Sequence, residues 1–320
     1  MSDISRRSFF HAAGLAAMVP ALGAAQARQG AQADNSDVKV ESDVVYGKGG
    51  DIDLHLDIYR PVGTEKKMAI IHLHGGGFTQ GSKTGVASSS RAFARLGYVS
   101  IASQYRLQAQ GRWPAQIEDA KAAIRWTRAN ASKLNIDADK IAIAGYSAGG
   151  LMALFAAGSN DAKEFEGNGG NPGVSSKVAA GIGFYPAVGA TRNLLPDGAD
   201  QAAVEAASAT SRISPTFAPT IFLHGAADVT IRPESSISFF DKLRAAGVRT
   251  DLHLFQGAPH AFEVNNPDIA QVAAQVTNLF LDRLILNPKE YPPFGGGGRG
   301  GARGGGGARG GPGGAPRGQQ

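Results

Sequence analysis

The stretch Lys140-Ile141-Ala142-Ile143-Ala144-Gly145-Tyr146-Ser147-Ala148-Gly149-Gly150-Leu151-Met152-Ala153-Leu154-Phe155-Ala156-Ala157 changes character halfway along. Ile141 to Ala144 is a short, uninterrupted apolar run with β-branched residues, the pattern of a strand buried on both faces of a parallel sheet. From Ala148 onward small and apolar residues continue with no proline and no β-branched run, as in a buried helix. Between the two lies G-x-S-x-G, from Gly145 to Gly149. The pattern predicts strand, sharp turn, helix, with Ser147 in a strained conformation at the tip and a glycine two positions to either side so that strand and helix can close. Such a turn lifts a hydroxyl clear of the sheet and sets it at a helix N-terminus, where unpaired N–H groups favour developing negative charge. Taken alone, the pentapeptide also fits a plain glycine-rich helix start, because Gly, Ala and Ser are common residues.

Upstream, Val38–Tyr46 and Asp51–Tyr59 read as strands joined by a Gly47–Gly50 turn, and Met68–Leu73 and Tyr98–Gln104 as buried strands. Arg91–Leu96 reads as a helix, and Pro114 opens a longer amphipathic helix through about Asn130. Downstream, strands are expected at Val178–Phe184, Pro219–Leu223 and Leu252–Phe255, with helices at about 233–246 and 269–286. Residues 186–212 read as loop and short helix, a length that suits a lid over a ligand. Strands alternating with helices predict an α/β fold: a mostly parallel central sheet of about eight strands with helices on both faces.

Parallel sheets carry their functional loops at the carboxyl ends of the strands. Three such ends hold Ser147, Asp228 in His224-Gly225-Ala226-Ala227-Asp228, and His260 in Pro259-His260-Ala261-Phe262. A serine needs a base to lose its proton at neutral pH, and an imidazole base needs a carboxylate to fix its tautomer and stabilise its cation. A fourth end, His74-Gly75-Gly76-Gly77-Phe78, offers backbone N–H groups uncrowded by side chains. Two other groupings admit a metal reading: the row Asp51, Asp53, His55, Asp57, and the pair His72 and His74. The first is also explained as the solvated face of an outer strand and the second as structural histidines, which have no third ligand nearby in sequence.

Several motifs together resemble the carboxylesterases related to hormone-sensitive lipase, most closely their secreted acetylxylan and feruloyl esterase-like branch: His74-Gly75-Gly76-Gly77, Tyr105-Arg106-Leu107, Pro114 to Asp119, Gly145 to Gly150, His224 to Asp228 and Pro259 to Phe262. The resemblance covers about residues 40–285 and implies an α/β-hydrolase fold, with the chain order Ser, Asp, His expected of it. It further implies Ser147 as nucleophile, His260 as general base and then acid, Asp228 as orienting carboxylate, and the N–H groups of Gly76, Gly77 and Ala148 as an oxyanion hole. Phe78 and Tyr146, beside these groups, are expected to touch substrate. Gln104 and Gln108-Ala109-Gln110 depart from the residues frequent in relatives, and Arg106 and Asp119 are expected to be structural partners. The implied reaction is two-step acyl transfer on short-acyl, small-molecule or polysaccharide-linked esters, with no cofactor and no metal. A peptidase or amidase with the same three residues, and a silent binding protein on this fold, stand as alternatives.

Composition and the chain ends complete the reading. There is no cysteine, so no disulfide or thiolate metal site is available. Of the net charge of +5, Arg6 and Arg7 with Asp3 belong to residues 1–27 and four arginines to residues 295–320; residues 28–294 hold 26 basic and 26 acidic side chains, which gives no electrostatic support to nucleic-acid binding. Ser5-Arg6-Arg7-Ser8-Phe9-Phe10, a weakly apolar Ala12–Ala24 and Ala25-Gln26-Ala27 resemble a twin-arginine signal cleaved after Ala27, which makes the export machinery a partner and the periplasm or exterior the destination. The apolar stretch is too short for a stable membrane anchor. The expected organisation is a signal peptide at 1–27, a polar leader at 28–37, a catalytic domain at 38–290 and a disordered Gly/Arg-rich tail at 291–320. So short a leader leaves no source for a helical N-terminal cap, which suggests an open site suited to a bulky alcohol.

Overall fold

A computed structural model describes residues 37–160 and 162–290. The expected signal peptide, nearly all of the polar leader and the Gly/Arg-rich tail lie outside the described residues. The described residues form eight strands: β1 (Val38–Gly49), β2 (Ile52–Pro61), β3 (Ala69–Leu73), β4 (Val99–Ser103), β5 (Ile141–Tyr146), β6 (Ala180–Phe184), β7 (Thr220–Gly225) and β8 (Thr250–Phe255). Around them lie α1 (Ala87–Arg95), α2 (Ala115–Ala129), α3 (Ala131–Leu134), α4 (Ala148–Gly158), α5 (Gln201–Ala206), α6 (Glu234–Ala245), α7 (Phe262–Asn265) and α8 (Pro267–Leu281). The sheet order is β1-β2-β4-β3-β5-β6-β7-β8. Only β1 with β2 and β2 with β4 pair antiparallel; β4, β3 and β5 to β8 are parallel.

Side chains alternate along a strand, so a strand buried on both faces feeds two cores. Ile141 and Ile143 of β5 pack on one side with Ile117, Ala120 and Ile124 of α2, Leu151 and Phe155 of α4 and Phe239 of α6. Ala142, Ala144 and Tyr146 point the other way, among Phe93 of α1 and Ala273 and Phe280 of α8. The register sets Leu73 of β3 beside Gly145 of β5, which brings the His74–Gly77 loop to the turn after β5.

Two expectations about exposure change. Asp57 of β2 is not on a solvated outer face: β2 lies between β1 and β4, and the Asp57 carboxylate accepts from Lys83 Nζ at 2.7 Å and the Asp43 N–H at 2.9 Å. The helix α2 is less amphipathic in effect than in pattern, because Lys121 and Arg125 are buried and both pair with Glu166, at 3.0 and 2.6 Å. Within residues 186–212 the carbonyls of Leu194 and Leu195 accept from the Trp113 N–H and from Arg112 Nη1, both at 2.8 Å.

The partly buried Arg106 and the buried Asp119 form an ion pair tying the segment after β4 to α2. Arg106 Nη2 donates to Oδ1 at 2.8 Å, its Nε to Oδ2 at 2.9 Å and its backbone N–H to Oδ2 at 2.8 Å. Losing Arg106 strands the buried Asp119 charge, and losing Asp119 leaves Arg106 with Glu118, at 3.4 Å, as its remaining carboxylate. Asp119→Ala is expected to lower unfolding free energy by about 3 kcal/mol, read by urea denaturation; a loss below ~1 kcal/mol would place the pair among weak surface bridges.

Candidate active site

Ser147 adopts φ 54°, ψ −116° at the N-cap of α4, a conformation that a non-glycine residue holds only when its surroundings enforce it. The enforcement is visible. Its N–H donates to the Phe184 carbonyl at 3.0 Å, and its own carbonyl accepts from Gly150 at 2.9 Å and Ala187 at 3.0 Å, which locks the turn to the end of β6. A Cβ at Gly145 would lie 2.1 Å from the Gly149 carbonyl, so this crossing of strand and helix admits no side chain there.

His260 follows β8, and its ring joins the other two strand ends. Ser147 Oγ lies 3.0 Å from Nε2, and Asp228 Oδ2 lies 2.6 Å from Nδ1. An ionised carboxylate only accepts, so Nδ1 carries the proton and Nε2 is left as acceptor for the Ser147 hydroxyl. The loops of β7 and β8 are joined by backbone bonds from Ala226 to Phe255 and from Ala227 to Ala258, at 2.9 and 3.0 Å. Asp228 is buried and surrounded by donors: its Oδ1 accepts the N–H groups of Thr230 and Ile231 at 2.8 and 2.9 Å, and its Oδ2 lies 3.3 Å from His224 Nε2. His224 in turn donates from Nε2 to the Ile231 carbonyl and accepts at Nδ1 from Ser236, both at 2.8 Å. Burial lowers its pKa and keeps it neutral.

Gly76 and Gly77 have φ +114° and +62°, left-handed conformations that turn the loop after β3 back on itself. No hydrogen bond between described residues uses the N–H of Gly76, Gly77 or Ala148. The loop lies against the serine turn, since a Cβ at Gly75 would stand 3.2 Å from the Ser147 Cβ. His74 braces it, stacked on Tyr105 at 4.3 Å, with the Tyr105 hydroxyl donating to its carbonyl at 2.8 Å. His72 is buried between the hydroxyls of Tyr146 and Ser100, and burial pulls the His72 and His74 pKa values down to about 3 and about 4.

Phe78 and Tyr146 do not open onto a ligand as expected. They are 1% and 2% exposed, Phe78 in the core and Tyr146 stacked on Phe184 at 4.6 Å. The strand–turn–helix geometry points residue 146 into the sheet's second core while residue 147 points out. Sequence reasoning missed Tyr185, whose ring meets His260 edge-on at 4.5 Å, and Glu263, which accepts from the Tyr185 hydroxyl. Tyr185 follows β6 directly, so the same strand-end rule that marks Ser147 could have marked it.

A hydroxyl, an imidazole and a carboxylate in series, beside three unpaired amides, can move a proton from oxygen to nitrogen while an oxyanion is stabilised alongside. A family model described as BD-FAE matches residues 56–243, more than half of the chain. Among curated relatives, Esterase LipC of Mycobacterium tuberculosis is 29% identical over 253 residues, covering 72% of this chain and 62% of its own length. Probable carboxylic ester hydrolase LipM of the same organism is 31% identical over 228 residues, covering 64% and 52%. The chain thus spans about half to three-fifths of the length of these two relatives. Among solved structures, native esterase Est2 of Thermogutta terrifontis superposes with a TM-score of 0.68 at 29% identity, covering 81% of this chain and 96% of that one. The sheet order, the strand-end placement of Ser147, Asp228 and His260, and the match over 56–243 converge: the chain has the α/β-hydrolase fold and belongs to the BD-FAE family.

Proposed function

We propose that the chain is an exported serine carboxylesterase that cleaves short-acyl esters through an acyl-enzyme on Ser147. The observation that carries the reading is the unbroken series Ser147 Oγ, His260, Asp228 at 3.0 and 2.6 Å, beside the unused N–H groups of Gly76, Gly77 and Ala148. In the first half-reaction Ser147 Oγ attacks the ester carbonyl while His260 Nε2 takes its proton, and the carbonyl oxygen gains charge among the three amides. Collapse expels the alcohol, which receives that proton from His260. In the second half His260 takes a proton from water, hydroxide attacks the acyl carbon, and return of the proton to Oγ frees the acid. Asp228 holds the ring in the required tautomer and stabilises the imidazolium. One such amide donor contributes about 3 kcal/mol to the transition state.

A short acyl group is supported by the Thermogutta esterase, which has been solved with butyrate and with propionate bound. Acetyl or feruloyl esters of plant polysaccharides are the proposed natural class, and export rests on the twin-arginine pattern at Arg6 and Arg7. Assays on p-nitrophenyl acetate, butyrate and octanoate, acetylated xylan, methyl ferulate and a peptide anilide test it. Turnover of acetate and butyrate at least about tenfold faster than octanoate is expected, one pocket boundary being worth 10–200-fold. Turnover of the anilide alone would sink the ester reading. Paraoxon, which phosphorylates the Thermogutta enzyme, is expected to label Ser147, read by peptide mass.

A further inference from the structure

Against His260 stands a pair of side chains that the reaction above does not use. The Tyr185 ring packs edge-on against the imidazole at 4.5 Å, and its hydroxyl donates to Glu263 Oε1. Tyr185 itself is fixed: its backbone is in the left-handed region at φ 36°, and its N–H donates to the Leu223 carbonyl at 2.7 Å. Glu263 lies three residues beyond His260, in α7, and Ala261 between them takes φ 55° to turn the chain back. The Tyr185–Glu263 contact therefore ties the loop that carries the base to the end of β6, the strand end to which the Ser147 turn is also bonded. Glu263 is partly exposed as a residue and lines a cavity of about 60 Å³, but its Oε2 is sealed from solvent and has no hydrogen-bond partner among the described residues.

We propose that Glu263, acting through Tyr185, is a positioning residue for His260: its carboxylate polarises and holds the tyrosine that backs the imidazole, and so favours the cation formed when His260 takes the Ser147 proton. The inference rests on His260 as general base. An anchor of purely mechanical purpose would need only a neutral acceptor. A half-satisfied buried carboxylate is a costly alternative, and its charge is what reaches the ring through the hydroxyl.

Burial raises the Glu263 pKa to about 7, against the lowering effect of the Tyr185 bond. The group therefore changes charge within the working range, ionised above that point and neutral below it. The titratable groups facing it are Tyr185 and Tyr146, both held un-ionised by burial, with Asp228 beyond Tyr185. From α1 the cavity receives Ser88 and Ser89 and from α8 Ala270 and Ala274, none of them charged.

The test is the ratio of wild-type to Glu263→Gln kcat/KM across pH, with thermal melting as a folding control. A ratio of about tenfold at pH 8.5, falling to about one at pH 5.5 where the wild-type carboxyl is already neutral, is expected for a coupling of this size. KM should stay within about twofold, since no ground-state contact is lost. A ratio of one throughout, or one that does not change with pH, overturns the proposal. If Glu263→Gln does not fold, Tyr185→Phe answers instead: it keeps the ring and removes the link, and should lower kcat at pH 8.5 about tenfold with KM unchanged. Unaltered kcat and pH profile in Tyr185→Phe overturns the proposal equally. His260→Ala separates the two levels, since retained turnover there removes the general-base reading and this inference with it. Loss of turnover in His260→Ala beside a flat Glu263→Gln ratio removes only this inference.

Discussion

Ser147→Ala is expected to lower kcat on p-nitrophenyl acetate by on the order of 10⁴-fold or more while leaving the melting temperature within a few degrees. The activity loss follows because no other side chain presents a hydroxyl to His260 Nε2 among the described residues. The fold should survive because the bonds that hold this turn are made by the backbone, to Phe184, Ala187 and Gly150, and none uses Oγ. Residual turnover over water would come from the amides and His260 acting on water directly. Stopped-flow burst kinetics and a thermal melt check both halves, and turnover within tenfold of wild type would end the assignment of Ser147 as nucleophile.

Asp228→Asn should cost nearly as much, about 10⁴-fold in kcat, for a reason specific to this pocket. Three donors converge on the carboxylate: the N–H groups of Thr230 and Ile231 on Oδ1, and His260 Nδ1 on Oδ2. An amide has one accepting oxygen. If that oxygen stays with Thr230 and Ile231, the NH₂ faces His260 and forces the proton onto Nε2, where it can no longer accept from Ser147. If the amide flips, two backbone N–H groups lose their acceptor and the loop after β7 must shift, which melting would register. In either case activity falls; near-normal kcat with an unchanged melt would show that Asp228 does not set the tautomer.

Most of the architecture is legible in the sequence, for a physical reason. Strands buried on both faces announce themselves as short apolar runs, and β3 and β5 to β7 are of this kind. The meeting of Ser147, Asp228 and His260 is legible because each stands where a strand ends, and in a parallel sheet those ends lie along one rim. Boundaries set by pairing rather than by side-chain pattern are not. The strand β1 runs on to Gly49 through two register shifts, where the glycines read as a turn. Burial of charge is equally invisible along the chain: Asp57, Lys121 and Arg125 look like surface residues until their partners arrive from Lys83 and Glu166. Tyr185 and Glu263 are 78 residues apart, and only the fold joins them.

The one-sided placement of the chemistry leaves the opposite rim unburdened. There Gly63 and Gly247 are exposed, and a side chain added at either would meet no neighbouring atom within 4 Å. Evolution, or a protein engineer, can therefore graft loops, tags or carbohydrate-binding modules onto that end with little effect on turnover. The crossings at Gly145, Gly149 and Gly225 are the reverse: a Cβ there would lie 2.1, 2.2 and 2.2 Å from a backbone oxygen, so these positions of the reactive end admit no side chain.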